Sequence, residues 1–458
     1  MIHNRDQLSA TPTHEVALDC LTAGIEAADP VRLTHEAVSL ADGTLTVADA
    51  GYDLADYDEV IVLGGGKAAA VVAAELEAIC GDTLDGGIVV TDSPDAPSAV
   101  STQRVEVLAG DHPIPSERGV ESTRRLLAMG READASTLIL GVITGGGSAL
   151  MAAPAAGLSL ADLRSTTDAL VASGATIAEI NAVRKHCSAI KGGRLATATQ
   201  PADVCSLVVS DVVGNDLATI ASGPFVGDPT TYADARAVID RYDLDVPAAV
   251  VDHLDRGMAG EIEETPTTDE PVFAPVSTEV IGDSMVAVQA AATRASEAGF
   301  EPLVLSSRVR GEAREAAKTQ VAIAEEIRAS GQPLAPPAVV ISGGETTVSV
   351  AGDGVGGPNQ EFALSAAVEL AGDAAGDSDT TGESGETVVA AVDTDGIDGV
   401  SDAAGAIVDS DTVRVAAGHR ALAANDATPL LADAGALVQT GSTGTNVNDL
   451  RVVVVSAA

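Results

Sequence analysis

Twice in this chain an apolar run ends in three successive glycines and passes directly into a small-residue, helix-forming stretch. The segments are IVLGGGKAAAVVAAELEAI, with glycines at 64–66, and LILGVITGGGSALM, with glycines at 145–147. Neither apolar run alternates with polar residues, so each reads as a strand covered on both faces. Strand, tight turn and helix in that order form the unit of a parallel sheet wrapped in helices. Further apolar runs lie at 59–63, 87–91, 137–143, 204–209, 339–341, 388–392 and 451–455. The expected fold class is α/β throughout.

Charge is the second constraint. The 458 residues carry 68 acidic and 25 basic side chains, so the formal net charge is 25 − 68 = −43. Like charges at this density repel and strain a compact chain. Salt relieves that strain, because the Debye length falls to ~3 Å at 1 M. The composition therefore reads as that of a salt-adapted protein from a halophile's cytoplasm. Nucleic acid is excluded as a partner, since no basic patch is present to release counterions. Trp is absent and Phe and Tyr number four each, so the core is expected to be aliphatic. Cys20, Cys80, Cys187 and Cys205 form no CxxC pair and read as buried, inert thiols. No apolar run is long enough to span a membrane. The first residues lack an apolar signal core, which points to a cytoplasmic protein.

Length suggests more than one domain. The Glu-, Thr- and Pro-rich stretch 257–275 reads as a linker or exposed acidic loop, giving domains over 1–257 and 276–458. The polar stretch 372–386 reads as a solvated loop.

Only four lysines occur, at 67, 185, 191 and 318, and three of them lie in or beside glycine-rich segments. At the first bend, glycines let backbone N–H groups approach an anion, and a helix N-terminus adds a favourable dipole. Lys67 stands at that mouth with Gly65 and Gly66. Gly64, Gly66 and Ala69 also match the dinucleotide pattern G-x-G-x-x-A. The spacing of a Walker A loop is absent. At the second bend, Gly145, Gly146 and Gly147 form an anion nest with Ser148 as a further donor. The segment NAVRKHCSAIKGGRLA gathers Arg184, Lys185, Lys191 and Arg194, with 184, 187, 191 and 194 near one face of a helix. Such a cluster suits carboxylate or phosphate oxygens. Asp211 follows an apolar run, where α/β proteins bind ligands, and is placed to orient or deprotonate a hydroxyl. In the second half, Asp393, Asp395 and Asp398 follow another apolar run, and one or two such carboxylates suit Mg²⁺. Thr443, Thr445 and Asn446 offer polar groups to an oxyanion or diol.

Taken together, VLGGGKAA, GDHPIPSERG, TGGGSALM, NAVRKHCSAIKGGRLA, SDVVGNDLATIASGP, ISGGETTV, GGPNQE, VDTDGIDG and TGSTGTNVNDL resemble the glycerate 2-kinases of the MOFRL (glycerate kinase type II) family. The resemblance covers the chain from about residue 15 to its end. It implies ATP-dependent phosphorylation of D-glycerate on the 2-hydroxyl, with Mg²⁺ or another divalent cation. It also implies a Rossmann-like N-terminal domain, a second α/β domain and a site in the cleft between them, in a monomer or homodimer. Lys67 and Asp211 become the expected catalytic residues. Gly65, Gly66, Gly145, Gly146, Gly147, Ser148, Arg184, Lys191 and Arg194 become the expected substrate and phosphate ligands. Gly343, Gly344, Glu345, Asn359, Thr443 and Asn446 become nucleotide candidates, and Asp393 and Asp395 metal candidates. The chain departs from the family at Pro358, where G-G-R-N-Q-E is usual; Arg184, Lys191, Arg194 or Arg310 would then supply the missing charge. The rival reading is an NAD(P)H-dependent hydroxypyruvate reductase, in which Asp82 or Asp85 would hold the cofactor ribose.

Overall fold

The computed structural model describes residues 1–92, 100–376 and 385–457. The chain divides into two compact units, Leu33–Ile281 and a second one made of Met1–Arg32 with Gly282–Ala458.

The first unit opens with a small antiparallel meander, β1 (Val38–Ala41), β2 (Thr44–Val47) and β3 (Ala50–Asp53). Its main sheet contains β4 (Glu59–Gly65), β5 (Gly86–Thr91), β6 (Val105–Ala109), β7 (Thr137–Ile143), β8 (Asp203–Val209) and β9 (Val276–Gly282), in the order β6-β5-β4-β7-β8-β9. The pairs from β6 to β8 are all parallel. Along β4, Val60 and Val62 join a core with Val72 and Leu76 of the helix Ala69–Cys80. Ile61 and Leu63 join another with Leu126 and Leu127 of the helix Glu117–Glu132. Positions 60–63 of β4 are therefore all apolar, and alternation is absent for the expected reason.

The second unit has β10 (Glu301–Val309), β11 (Ala338–Gly344), β12 (Thr387–Asp393), β13 (Gly405–Val408), β14 (Leu437–Val438) and β15 (Asp449–Val455), in the order β10-β11-β15-β12-β13-β14. Only β10 and β11 run parallel; each of the other adjacent pairs is antiparallel. The parallel pattern expected from unbroken apolar runs fails here. Val339, Ile341 and Val452 pack with Leu18 and Leu21, while Val340, Val389 and Val453 pack with Val321 and Phe362. Unbroken apolarity reports cover on both faces, whichever way the strands run.

The division of the chain also differs from the expected 1–257 and 276–458. The helix Pro12–Ala27 buries Leu18, Leu21 and Ile25 against Leu450 and Val452, so the N-terminal residues belong with the C-terminal sheet. Nothing in that helix's own pattern shows which sheet covers it. The stretch 257–275 is not a linker: Thr265 is buried, and Glu264 accepts hydrogen bonds from the backbone N–H groups of Tyr232 and Thr265. The expected loop over 372–386 is partly helical, because the helix Pro358–Gly376 enters it; residues 377–384 lie outside the described residues. Pro358 opens that helix, where its missing N–H costs nothing. The four cysteines are free and buried, and burial pushes the Cys187 thiol up to about 12.

Candidate active site

The glycine bends sit at the C-terminal ends of β4 and β7, which are neighbours through Gly65 and Ile143. Chain connections leave β4 toward β5 on one side and skip to β7 on the other, so this is the topological switch point where open α/β sheets bind ligands. The bends are bonded to each other. Thr144 N–H donates to Gly65 O at 3.2 Å, Lys67 N–H to Gly145 O at 2.8 Å, and Ala68 N–H to Thr144 Oγ1 at 3.2 Å. Two positions of the bends have a positive φ. Gly66 has φ +142°, and a Cβ there would lie 2.1 Å from Thr144 Oγ1. Gly146 has φ +80°, with His112 Cδ2 and Lys67 Cγ 3.1 and 3.2 Å from where its Cβ would be. The N–H groups of Gly145 and Gly146 donate to no other group among the described residues. Unpaired amides at a glycine bend are the donors that an anion nest uses.

A cavity of about 270 Å³ opens beside them, lined by His112, Gly146, Ser148, Asn181, Arg184 and Asp211 among others. Asp211, two residues beyond β8, reaches over Gly145, where a Cβ would lie 2.4 Å from its Oδ2. Burial pushes the Asp211 carboxyl above the usual carboxylate range, and the Lys67 ammonium partly opposes this. Burial pulls His112 down, reinforced by Lys67 and opposed by Asp92. His112 and Asn181 carry no role in the sequence reading. His112 lies within the quoted segment GDHPIPSERG, but nothing local tells that its ring turns toward Gly146. Asn181 is buried in the helix Ile177–His186, and its Oδ1 accepts from Ser222 Oγ at 3.3 Å.

The cation cluster is not one helix face. The helix Ile177–His186 stops, a loop follows, and the helix Arg194–Ala198 begins afresh. Arg184 lines the cavity and its Nη2 donates to Ser148 O at 3.4 Å. Lys191 is buried and donates to Ser148 O and Oγ at 2.6 and 2.8 Å, so it holds Ser148 rather than reaching for a ligand. Lys185 pairs with the buried Asp228 at 3.2 Å. Arg194 turns elsewhere: its Nη2 donates to Tyr232 OH at 3.0 Å and Glu263 O at 3.3 Å, and it lines a different cavity. The structure therefore does not place Arg194 with the other expected anion ligands.

In the second unit, Gly343 and Gly344 end β11 and Glu345 follows. Asn359 is fully buried and donates from Nδ2 to Asp449 Oδ1 at 2.6 Å, so it braces the fold and does not face a nucleotide. Thr443 spends its hydroxyl on Thr394 O at 2.6 Å, and Asn446 Oδ1 accepts from Asn448 N–H; both shape a turn. Asp398 accepts the N–H groups of Asn359 and Gln360 at 2.9 and 2.8 Å, serving the start of the helix Pro358–Gly376. Burial pushes its carboxyl up to about 6. Asp393 and Asp395 each give one oxygen to a local N–H, from Asp395 and Ile397 respectively. Burial, then the charges of Asp395 and Asp449, holds the Asp393 carboxyl well above the usual range. A divalent cation would relieve that repulsion, and two carboxylates are the donor set Mg²⁺ takes beside phosphate and water. The residues fit that ion.

The expected ribose acids do not fit a dinucleotide. Asp85 accepts the N–H of Val60 at 2.8 Å, at the end of β4 opposite the glycine bend, and Asp82 pairs with Arg104.

Residues 16–255 match the family model described as "Domain of unknown function (DUF4147)", and residues 338–449 match that of the MOFRL family. The chain is 41% identical to a "Putative hydroxypyruvate reductase" of Agrobacterium vitis, over 93% of each chain. It is 38% identical to a "Glycerate 2-kinase" of Pyrococcus horikoshii, over 98% of each. A crystal structure of glycerate kinase from Thermotoga maritima superposes with a TM-score of 0.82 at 35% identity, covering 96% of this chain and 99% of that one.

Proposed function

The chain belongs to the MOFRL family of glycerate 2-kinases, and we propose that it transfers the terminal phosphoryl group of ATP to the 2-hydroxyl of D-glycerate, giving 2-phosphoglycerate and ADP. The observation that carries the reading is the pair of mutually bonded glycine bends, with free N–H groups of Gly145 and Gly146 beside Lys67, Arg184 and Asp211.

Phosphoryl transfer asks a protein for positioning and charge neutralisation rather than covalent chemistry. In this reading the nest amides and the exposed Lys67 ammonium hold the moving phosphoryl oxygens. The Arg184 guanidinium takes the glycerate carboxylate. Asp211, whose raised carboxyl is closer to neutrality than an ordinary aspartate, orients the 2-hydroxyl and accepts its proton. His112 closes the cavity beside Gly146 as a neutral ring. Mg²⁺ would be held by Asp393 and Asp395, where it supplies neutralising charge for the nucleotide phosphates. Gly343, Gly344 and Glu345, at the end of β11, remain the nucleotide contacts of this proposal. The net charge of −43 supports a salt-rich setting for this reaction.

One feature favours the reductase name borne by the Agrobacterium relative: Asp92 follows β5, the strand end where a ribose acid would lie. An ATP–glycerate assay in molar KCl, with phosphorus NMR of the product and a parallel assay of NADH with hydroxypyruvate, decides between the two. We expect 2-phosphoglycerate and no NADH oxidation. Lys67→Ala is expected to lower turnover more than ~10-fold with the fold intact, on the scale of a lost oxyanion contact. NADH consumption without phosphoglycerate would remove the kinase assignment.

A further inference from the structure

A second group of ligating side chains lies in the other unit, far along the chain from the glycine bends. One ligand atom from each of His14, Glu386 and Asp409 lies within 4.8 Å of the others, the one such set among the described residues. His14 sits in the first turns of the helix Pro12–Ala27, Glu386 immediately precedes β12, and Asp409 immediately follows β13.

The hydrogen bonds around the set place one ring proton of the histidine. The Thr11 hydroxyl has one hydrogen and donates it to Glu386 Oε2 at 2.7 Å. Thr11 Oγ1 also lies 2.9 Å from His14 Nδ1, so that contact needs Nδ1–H as donor. A neutral ring then has its lone pair on Nε2. Among the described residues Nε2 makes no hydrogen bond, and its nearest charged neighbour is Asp409 Oδ2 at 3.5 Å, beyond ordinary hydrogen-bond length. A lone pair aimed at a carboxylate in a residue only 5% exposed is unfavourable, and a proton or a metal cation between Nε2 and Oδ2 relieves it.

The carboxylates are prepared in the same way. Asp409 Oδ1 is occupied by Asp411 N–H at 2.9 Å and the Thr412 hydroxyl at 2.8 Å, which leaves Oδ2 toward His14. Glu386 Oε2 is occupied by Thr11, which leaves Oε1, 3.6 Å from His14 Nδ1 and on the ring's side of the carboxylate. His14 and Asp409 thus each have one atom anchored by a hydrogen bond and one turned toward the other, and Thr11 anchors Glu386 together with His14, the arrangement by which outer hydrogen bonds orient metal ligands. The Nε2–Oδ2 separation is close to the edge of about 3.4 Å expected between ligands on a tetrahedral zinc ion.

We propose that His14, Glu386 and Asp409 form a structural site for a divalent transition-metal ion such as Zn²⁺. The one-nitrogen, two-oxygen set suits Zn²⁺ better than the hard alkaline-earth ions. The ion would tie the start of the helix Pro12–Ala27 to the entry of β12 and the exit of β13. No bond is made or broken, and the site is independent of phosphoryl transfer.

The test uses the full-length protein, stripped with chelator and returned to molar KCl containing Mg²⁺. Co²⁺ is titrated as the probe, with its visible absorption and the melting temperature as readouts. We expect the wild type to take up Co²⁺ with a ligand-field band and a melting temperature that climbs with the logarithm of free metal. His14→Gln should weaken that uptake by at least about tenfold, while Asp393→Asn keeps it. Should His14→Gln fail to fold, Asp409→Asn answers the same question. Equal Co²⁺ uptake and melting shifts in the wild type and the His14 or Asp409 variant would overturn the proposal. So would a stripped wild type that binds no Co²⁺ and shows His14 as an imidazolium by nitrogen NMR.

Discussion

Lys191 spends its ammonium on Ser148, donating to the carbonyl at 2.6 Å and to the hydroxyl at 2.8 Å. Ser148 Oγ in turn meets Ser222 Oγ at 2.9 Å. Burial, then Arg184 and Lys185, holds Lys191 well below the usual lysine range. A cation that looked like a phosphate ligand is thus a strut beneath the second glycine bend.

Lys191→Met should therefore damage the site more than the fold. Methionine fills the volume and removes a costly buried charge, while Ser148 O loses its strongest donor, a loss of ~1–3 kcal/mol that the relief partly offsets. We expect the denaturation midpoint to move little and kcat to fall about tenfold as the bend loosens. Urea unfolding and steady-state kinetics on one preparation check both halves.

Arg184 and Arg194 should separate cleanly. Arg184 lines the cavity with Asp211, whereas Arg194 is bound to Tyr232 OH and Glu263 O. Arg184→Ala is expected to raise the KM for glycerate by more than ~10-fold, the value of a charge-assisted pair to a carboxylate. Arg194→Ala should leave that KM within about twofold, as for a residue remote from the substrate. Equal effects would restore the single cluster that the sequence suggests.

Stability should fall as pH rises through the titration of Asp398. Its carboxyl goes from an ordinary 3.8 to about 6 in the fold, so between these values the folded chain holds a proton that the unfolded chain has released. The contribution is full below pH 4 and lost by about pH 6, up to about 3 kcal/mol at 1.36 kcal/mol per unit. Asp398→Asn should flatten this part of the profile. Urea midpoints measured from pH 4 to 7 for both proteins give the comparison, and Asp393, raised in the same direction, supplies the slope that remains.

Salt removal should unfold or inactivate the enzyme. With a net charge of −43, lengthening the Debye length from ~3 Å at 1 M to ~10 Å at 0.1 M exposes each carboxylate to many more of its neighbours. We expect activity and melting temperature to fall on dialysis from molar to tenth-molar KCl and to return on adding salt back. A protein fully active after storage in dilute buffer would contradict this.

The glycine bends were legible because their chemistry is local: a strand end, a positive φ at Gly146 and a helix start lie within a few residues. Asp211 was legible for the same reason, since an apolar strand delivers it directly. Asn359 was misread because an amide beside a glycine-rich turn looks the same whether it binds a ligand or braces the backbone. His112 carried no signal because its partners, Gly146 and Lys67, come from other strand–helix units.

Local patterning by itself determined that both halves are layered α/β structures, that two glycine bends end strands, and that the molecule carries an extreme negative charge. These depend on periodicity, glycine geometry and composition, which neighbours along the chain settle among themselves. Tertiary packing decided the rest: that β15 runs antiparallel between β11 and β12, that the helix Pro12–Ala27 joins the C-terminal sheet, that Arg194 turns away while Lys191 becomes a strut, and that His14 meets Glu386 and Asp409. Each of these pairs residues far apart in sequence, and burial does not distinguish one apolar partner from another until the whole core has closed.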